Sequence, residues 1–191
     1  MDEIVLRSIA KWPGVPAVYG WLALDRRGGW RIKSAAGGFE RIANVAMGEF
    51  IGRNYAADDA GRWYFQNGPQ RVYISLDYTP WIYRLEGTGD DLVAHTGAVP
   101  CKVDAAFLDD AGALLLHTEL GVGALLDRDL PAFVERLGDF AAIVERVSRG
   151  AVVQLMLQGN SVPLAAIRAG DVPARFGFDP RPRPRPGDPD C

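Results

Sequence analysis

Arg62-Trp-Tyr-Phe-Gln-Asn-Gly-Pro-Gln-Arg-Val-Tyr-Ile-Ser-Leu-Asp-Tyr-Thr-Pro-Trp-Ile-Tyr-Arg-Leu-Glu86 sets the architecture. Val72, Ile74, Leu76 and Tyr78 alternate with Arg71, Tyr73, Ser75 and Asp77, the period-2 pattern of a strand with one face buried. Asn67-Gly68-Pro69 is a tight turn ahead of it. Thr79-Pro80 interrupts the run, and Trp81–Leu85 resumes it. The stretch predicts a meander of antiparallel strands.

Three segments on either side share a pattern. Asp25 precedes Gly28, Asp58 precedes Gly61 and Asp109 precedes Gly112, each with an apolar or aromatic run beyond. Asp and Gly at this spacing make turns that join or open strands. The first and third read as hairpins, the second as a turn entering a strand. Val152–Leu157 and Val162–Ile167 read as a final hairpin. Helices are expected over Asp2–Lys11, over Arg41–Asn54 and over Asp129–Ser148. Asp129 is the natural N-cap of the last, Pro131 lies in its first turn, and Gly138 is a point where it can split. The expected class is α+β: mostly antiparallel strands, as hairpins and a meander, with two or three packed helices.

The chain has 191 residues, 48% of them hydrophobic and 24% charged, a composition that excludes disordered and fibrous proteins. Of 19 aromatics, 14 lie in residues 1–95, including every Trp and every Tyr. The organisation expected is an aromatic-rich α+β part over 1–95, a second α+β part over 96–178 that can be continuous with it, and a disordered tail over 179–191, where Pro alternates with Arg and Asp. Lys+Arg is 21 against 24 Asp+Glu, and neither half is basic, which argues against nucleic acid as a partner. No apolar run approaches the roughly 20 residues of a membrane helix. The N-terminus opens with acids, unlike a signal peptide, and Cys101 and Cys191 cannot form a disulfide framework. The expected location is the cytoplasm.

Catalytic constellations are absent. His117-Thr-Glu119 matches the His-x-Glu fragment of zinc deaminases, but Pro100-Cys101 lies upstream and Asp104 stands where a second cysteine is needed. The pairs Asp58-Asp59, Asp90-Asp91 and Asp109-Asp110 sit in predicted turns, where Asp bonds local amides. Cys101 has no positioned base. No catalytic residue, metal ligand or cofactor is assigned.

Trp63, Gln66, Asn67, Gln70, Arg71, Tyr73, Asp77, Tyr78 and Trp81 remain, a group of rings, amides and one guanidinium. Such groups line pockets for small polar or planar ligands, dominate protein interfaces, or simply fill a core. The ligand-binding candidates are Trp63, Gln66, Asn67, Gln70, Arg71, Tyr78 and Trp81, with Arg71 or Gln66 as polar contact and Trp63 or Trp81 as flat wall. The leading expectation is a non-enzymatic module that binds a small molecule or a protein. The rivals are a metal-assisted hydrolase or transferase using Asp58 and Asp59, and a structural homodimer.

Trp12-Pro-Gly-Val-Pro16, Tyr19-Gly-Trp21, Arg62–Tyr73 and Asp77-Tyr-Thr-Pro-Trp81 resemble a family of uncharacterised proteobacterial proteins known only as a domain of unknown function. The resemblance covers residues 10–140 and implies no activity and no site residues. The layout also resembles, in pattern alone, a second proteobacterial family of unknown function. That likeness implies a small two-domain α+β protein with a ligand-binding role.

Overall fold

The computed structural model describes residues 1–87, 89 and 91–185. They fall into two compact units, Met1–Pro80 with the segment from Gly177 onward, and Trp81–Phe176. The division expected at residue 95 is therefore replaced by one between Pro80 and Trp81. Nor does all of the Pro/Arg tail stand apart, because Asp179 and Pro180 are hydrogen-bonded into the first unit. Residues 186–191 of that tail lie outside the described residues.

The first unit runs α1 (Glu3–Lys11), β1 (Val18–Leu24), β2 (Trp30–Lys33), β3 (Phe39–Arg41), α2 (Val45–Arg53), β4 (Tyr55–Ala57), β5 (Trp63–Asn67) and β6 (Gln70–Leu76). Its sheet order is β3-β2-β1-β6-β5-β4, antiparallel except where β6 runs parallel to β1. The turn between β5 and β6 has two central residues, Gly68 at φ +57° and Pro69. Proline excludes a positive φ at the second position, so the turn is of the II′ kind that suits a twisted hairpin. Asn44 caps α2 by accepting the Met47 N–H at 3.0 Å. The helix therefore starts later than the expected residue 41, which belongs to β3.

Leu22, Leu24, Trp30, Phe65, Ile74 and Leu76 are buried on one sheet face, where Phe50 of α2 meets Phe65 edge-on at 5.4 Å. On that face the rings of Trp30 and Tyr55 come within 5.3 Å. Their strands are four steps apart, about 19 Å in a flat sheet. The sheet is therefore strongly curled around α2.

The second unit runs β7 (Trp81–Leu85), β8 (Leu92–Ala94), β9 (Val103–Asp109), β10 (Leu114–Thr118), β11 (Gly121–Leu125), α3 (Leu130–Arg136), α4 (Phe140–Ser148), β12 (Val153–Leu157), β13 (Asn160–Ile167) and α5 (Val172–Phe176). Its sheet order is β12-β13-β9-β10-β11-β7-β8. Trp81–Leu85, expected to extend the meander, instead pairs with β8 and β11. The helix expected over 129–148 is split at Gly138, whose φ is +73°. Asp139 caps the second piece, and Asp129, the expected cap of the first, instead accepts the Leu85 N–H at 3.0 Å. Gln158 and Gly159, both at positive φ, form a type I′ turn between β12 and β13. A Cβ on Gly123 would collide with the Tyr83 ring, which lets that ring lie flat in the core. The Tyr83 hydroxyl donates to Gly121 O at 3.0 Å and lies 2.7 Å from Thr118 Oγ1.

The two units share one topology. β3-β2-β1-β6-β5 and β11-β10-β9-β13-β12 each contain a three-stranded meander, then helix, then a hairpin whose last strand runs parallel to the first. Leu24 pairs with Leu76 in one and Leu108 with Ala166 in the other. The residues just after, Asp25 and Asp109, open the same turn. The architecture is α+β with mostly antiparallel strands, as expected.

Two outcomes follow for stability. Gly61 and Gly112 occupy equivalent turn positions at φ +71° and +84°. A Cβ at Gly61 would lie inside the Gly177 carbonyl, whereas one at Gly112 meets nothing within 4 Å. Gly112→Ala should cost about 1 kcal/mol of backbone strain and Gly61→Ala about 3 kcal/mol or more, read from thermal melts. His95 is the second case. Its Nδ1 accepts the Ile82 N–H at 3.4 Å, its Nε2 is enclosed, and burial holds its pKa down to about 3. The unfolded chain, with an imidazole pKa of about 6.5, then binds more protons below that pH. Stability should fall as pH drops from about 6.5 to 5, by up to about 1.4 kcal/mol per unit, and His95→Phe should flatten that slope in denaturant titrations.

Candidate functional site

Asp58 Oδ1 accepts the N–H groups of Ala60 and Arg62, both at 3.0 Å, and so shapes the turn between β4 and β5. Its Oδ2 accepts from Arg62 Nε at 2.8 Å and from the Tyr73 hydroxyl at 2.9 Å. Arg62 also donates to the Tyr73 hydroxyl at 3.0 Å and to that of Tyr19 at 3.4 Å. The Tyr19 and Tyr73 rings stack at 4.6 Å, 11° from parallel, and the Arg62 guanidinium lies 4.6 Å from the Tyr73 ring centre. Both side chains of the ion pair keep only 12% of their surface exposed.

Strand register explains the gathering. Tyr64 pairs with Tyr73 and Gln66 with Arg71, so the four side chains share the sheet face opposite α2. The register of β1 against β6 shifts between Val18 and Leu22, around Gly20 at φ +73°. That irregularity lets Tyr19 lie on Tyr73.

Beside this network is a recess of about 300 Å³, lined by residues 14–17, Tyr19, Arg62, Arg71 and Tyr73. The Gln70 amide donates to Pro16 O at 3.1 Å and holds the 14–17 wall. Arg71 is exposed, its guanidinium 4.6 Å from the Tyr64 ring centre. Burial alone would raise the Asp58 carboxyl pKa, but the bonds from Arg62, Tyr73 and Ala60 outweigh it and hold it below its ordinary value. Burial, and donation to the Asp58 carboxylate, push the Tyr73 phenol up.

The residues expected to form one site are dispersed. Arg71 lines the recess and Gln70 braces its wall. Gln66 is buried, with its amide donating to Gly68 O at 2.9 Å inside the hairpin. Asn67 is exposed at the hairpin end. Trp63 points to the other sheet face, its ring 4.6 Å from that of Tyr55. Tyr78 is buried, with Arg26 over its ring at 4.5 Å. Trp81 is buried in the second unit. Neither tryptophan walls the recess; the flat surface there belongs to Tyr19 and Tyr73. Sequence reasoning passed over Tyr19 and Arg62, and read Asp58 as a turn residue or, in the rival reading, as a metal-assisting carboxylate, not as the partner of Arg62. A signal existed: of the three Asp-x-x-Gly turns, only this one has an ionisable residue at the following position, where the others have Gly29 and Ala113. Among the described residues no group of three His, Cys, Asp or Glu side chains could hold a metal ion.

The DUF2944 family model, described as "Protein of unknown function (DUF2946)", matches residues 1–183. The chain belongs to this family. Membership agrees with the resemblance drawn from the Arg62–Tyr73 and Asp77–Trp81 motifs. No curated protein matches. A solved DUF1285 family protein from Silicibacter pomeroyi DSS-3 is similar at 16% identity and a TM-score of 0.55, over 87% of this chain and 97% of its own. Another, from Shewanella baltica OS155, is similar at 16% identity and a TM-score of 0.44, over 63% of this chain and 92% of its own. At such identity the first likeness speaks for the fold alone. Among the described residues no helix is long and apolar enough to cross a membrane.

The Asp58 hub makes an acid-sensitive contribution. Because the folded carboxyl pKa lies below the unfolded value of about 3.9, its stabilisation is present at neutral pH and is lost as pH falls through the folded pKa. Asp58→Asn should cost about 2 kcal/mol at pH 7 and clearly less at pH 3, measured by denaturant unfolding at both. Tyr73→Phe should cost about 1 kcal/mol at pH 7.

Proposed function

We propose that the chain is a non-enzymatic binding module whose recess at Tyr19, Arg62, Arg71 and Tyr73 takes a small anionic ligand. The supporting observation is the state of the two guanidiniums. Arg62 is neutralised by Asp58 and locked by two tyrosine hydroxyls. Arg71 lines the same recess and forms no ion pair among the described residues, so one positive charge is left over. A carboxylate or phosphate group answers that charge through the guanidinium fork. The tyrosine pair adds apolar surface for the rest of the molecule, and about 300 Å³ is at the small end of ligand pockets.

The rival metal-assisted hydrolase has less support. Both oxygens of Asp58 already accept hydrogen bonds, so binding a cation would dismantle the turn.

The test is a panel of small carboxylates and phosphates followed by melting temperature and tryptophan fluorescence. A binder should lose about tenfold or more in affinity in Arg71→Ala and less in Arg71→Lys, which keeps charge but not the fork. Trp63→Phe should leave binding unchanged. A panel that shifts neither signal, or a binder indifferent to Arg71→Ala, would sink the reading.

A further inference from the structure

The shared topology of the two units makes one place in the fold comparable between them, the carboxyl ends of the parallel strand pair. In the first unit that place is filled by the chain itself. Leu76, opposite Leu24, donates its N–H to Pro180 O at 2.9 Å. Asp179 donates its N–H to Gly61 O at 3.0 Å, and a lone parallel bridge joins Arg62 to Asp179. Arg181 lies 3.8 Å from the carboxylate of Asp77, the residue that ends the strand run. The Asp179–Arg181 segment, which bends at Pro180 and Arg181 as Asp179 Oδ1 accepts the Arg181 N–H at 2.8 Å, is thus gripped by main-chain bonds and one ion pair.

In the second unit the corresponding residue is Ala166, opposite Leu108. It lines instead a cavity of about 900 Å³, with Leu108, Val147 and Ala174 as apolar surface and Arg168 and Asp171 at its border. Ala166 itself is exposed. Asp109, Asp110 and Asp171 face two guanidiniums, Arg168 and Arg175, so carboxylates predominate. Arg175 is already spread over the rings of Phe107 and Phe176 at 5.0 and 5.9 Å. The Asp109 carboxylate is spent on its turn, through the N–H groups of Ala111 and Ala113. Asp110 accepts the Ala169 N–H at 2.8 Å, which ties the turn to the end of β13. Asp171 carries no side-chain hydrogen bond or ion pair among the described residues.

We propose that this cleft binds an arginine-bearing peptide segment of a partner protein, in the manner in which the first unit holds residues 179–181. The Ala166 N–H is the main-chain donor to a peptide carbonyl, as Leu76 is to Pro180. Asp171 receives the peptide guanidinium, as Asp77 receives Arg181. The apolar surface from Leu108 and Ala174 takes proline or aliphatic side chains. Main-chain bonds for affinity with side-chain pockets for choice are a recurring mode of peptide recognition. It is separate from the recess at Arg71 and stands or falls independently of it.

The probe is a fluorescein-labelled peptide with the sequence of residues 179–185, Asp-Pro-Arg-Pro-Arg-Pro-Arg, titrated with the full chain and read by anisotropy. Saturable binding is expected, weaker at high salt. Asp171→Asn should weaken it about threefold to fivefold, the scale of a surface ion pair. Ala166→Trp, at an exposed position, should fill the cleft and abolish binding without lowering the melting temperature. Arg71→Ala should leave it unchanged. The proposal is overturned if no anisotropy change occurs up to millimolar protein, if a control peptide with glycine for every arginine binds equally, or if free arginine competes as well as the peptide does. Light scattering of the full chain addresses a second copy as occupant. A concentration-dependent dimer that Ala166→Trp abolishes would overturn the assignment to a separate partner.

Discussion

Each unit is closed by one parallel strand contact, and the other elements are arranged around it. β6 lies beside β1, and β13 beside β9, after some fifty residues of intervening chain in each case. Such a contact carries a loop-closure cost that local hairpins avoid, so it forms only if the intervening helix and hairpin already bury enough surface. In the first unit α2 supplies this by packing Phe50 and Ile51 into the curled sheet. In the second, α4 does so through Val147, which is 1% exposed. The closure also fixes what lies at each end of the pair. At one end of the β1–β6 contact the shifted register brings Tyr19 onto Tyr73, and at the other Asp77 donates its N–H to Leu24 O.

Asp25, Asp58 and Asp109 make the same turn three times. In each, one carboxylate oxygen accepts the N–H groups two and four residues on, with a glycine at positive φ between them. The turn needs only one oxygen. What the second oxygen does sets the Asp58 turn apart. At Asp58 it binds Arg62 and Tyr73, so a loop becomes a rigid mount for a guanidinium. A charged side chain left to sample rotamers would lose entropy on meeting a ligand. Arg62 has already lost it.

The elements legible in the sequence were those fixed by local chemistry. Asn67-Gly68-Pro69, Gln158-Gly159 and the three acid-glycine turns fall where they were expected because their backbone angles restrict the residues that can occupy them. Gly138 as a helix break is of the same kind. What was not legible depends on pairing across long separations. Trp81–Leu85 has the pattern of a strand, but nothing local tells whether it continues with β6 or joins β11. The split between Pro80 and Trp81 and the return of Asp179 and Pro180 to the first unit are non-local for the same reason. The candidate site divides along that line too. Arg71 was visible as an isolated guanidinium among rings, while Tyr19 enters through a bulge that no periodicity announces.

The excess of aromatics before residue 95 acquires a physical meaning from the cations near them. Arg62 lies over Tyr73, Arg71 over Tyr64, Lys33 over Trp21 and Arg31 over Phe39, between 4.6 and 5.9 Å from the ring centres. By strand register the rings of Tyr73, Tyr64, Trp21 and Phe39 all lie on the sheet face turned away from α2. A ring face attracts a guanidinium without neutralising it, unlike a carboxylate. The rings therefore hold the cations flat against the sheet, and of these Arg62 and Arg31 are also paired with Asp58 and Asp77. Leucine or valine at these places would pack equally well but would repel the charged groups toward solvent. The second unit, whose central strand carries Leu114, Leu115 and Leu116, has as its buried polar residues Asp109 and Thr118, each at the end of a strand.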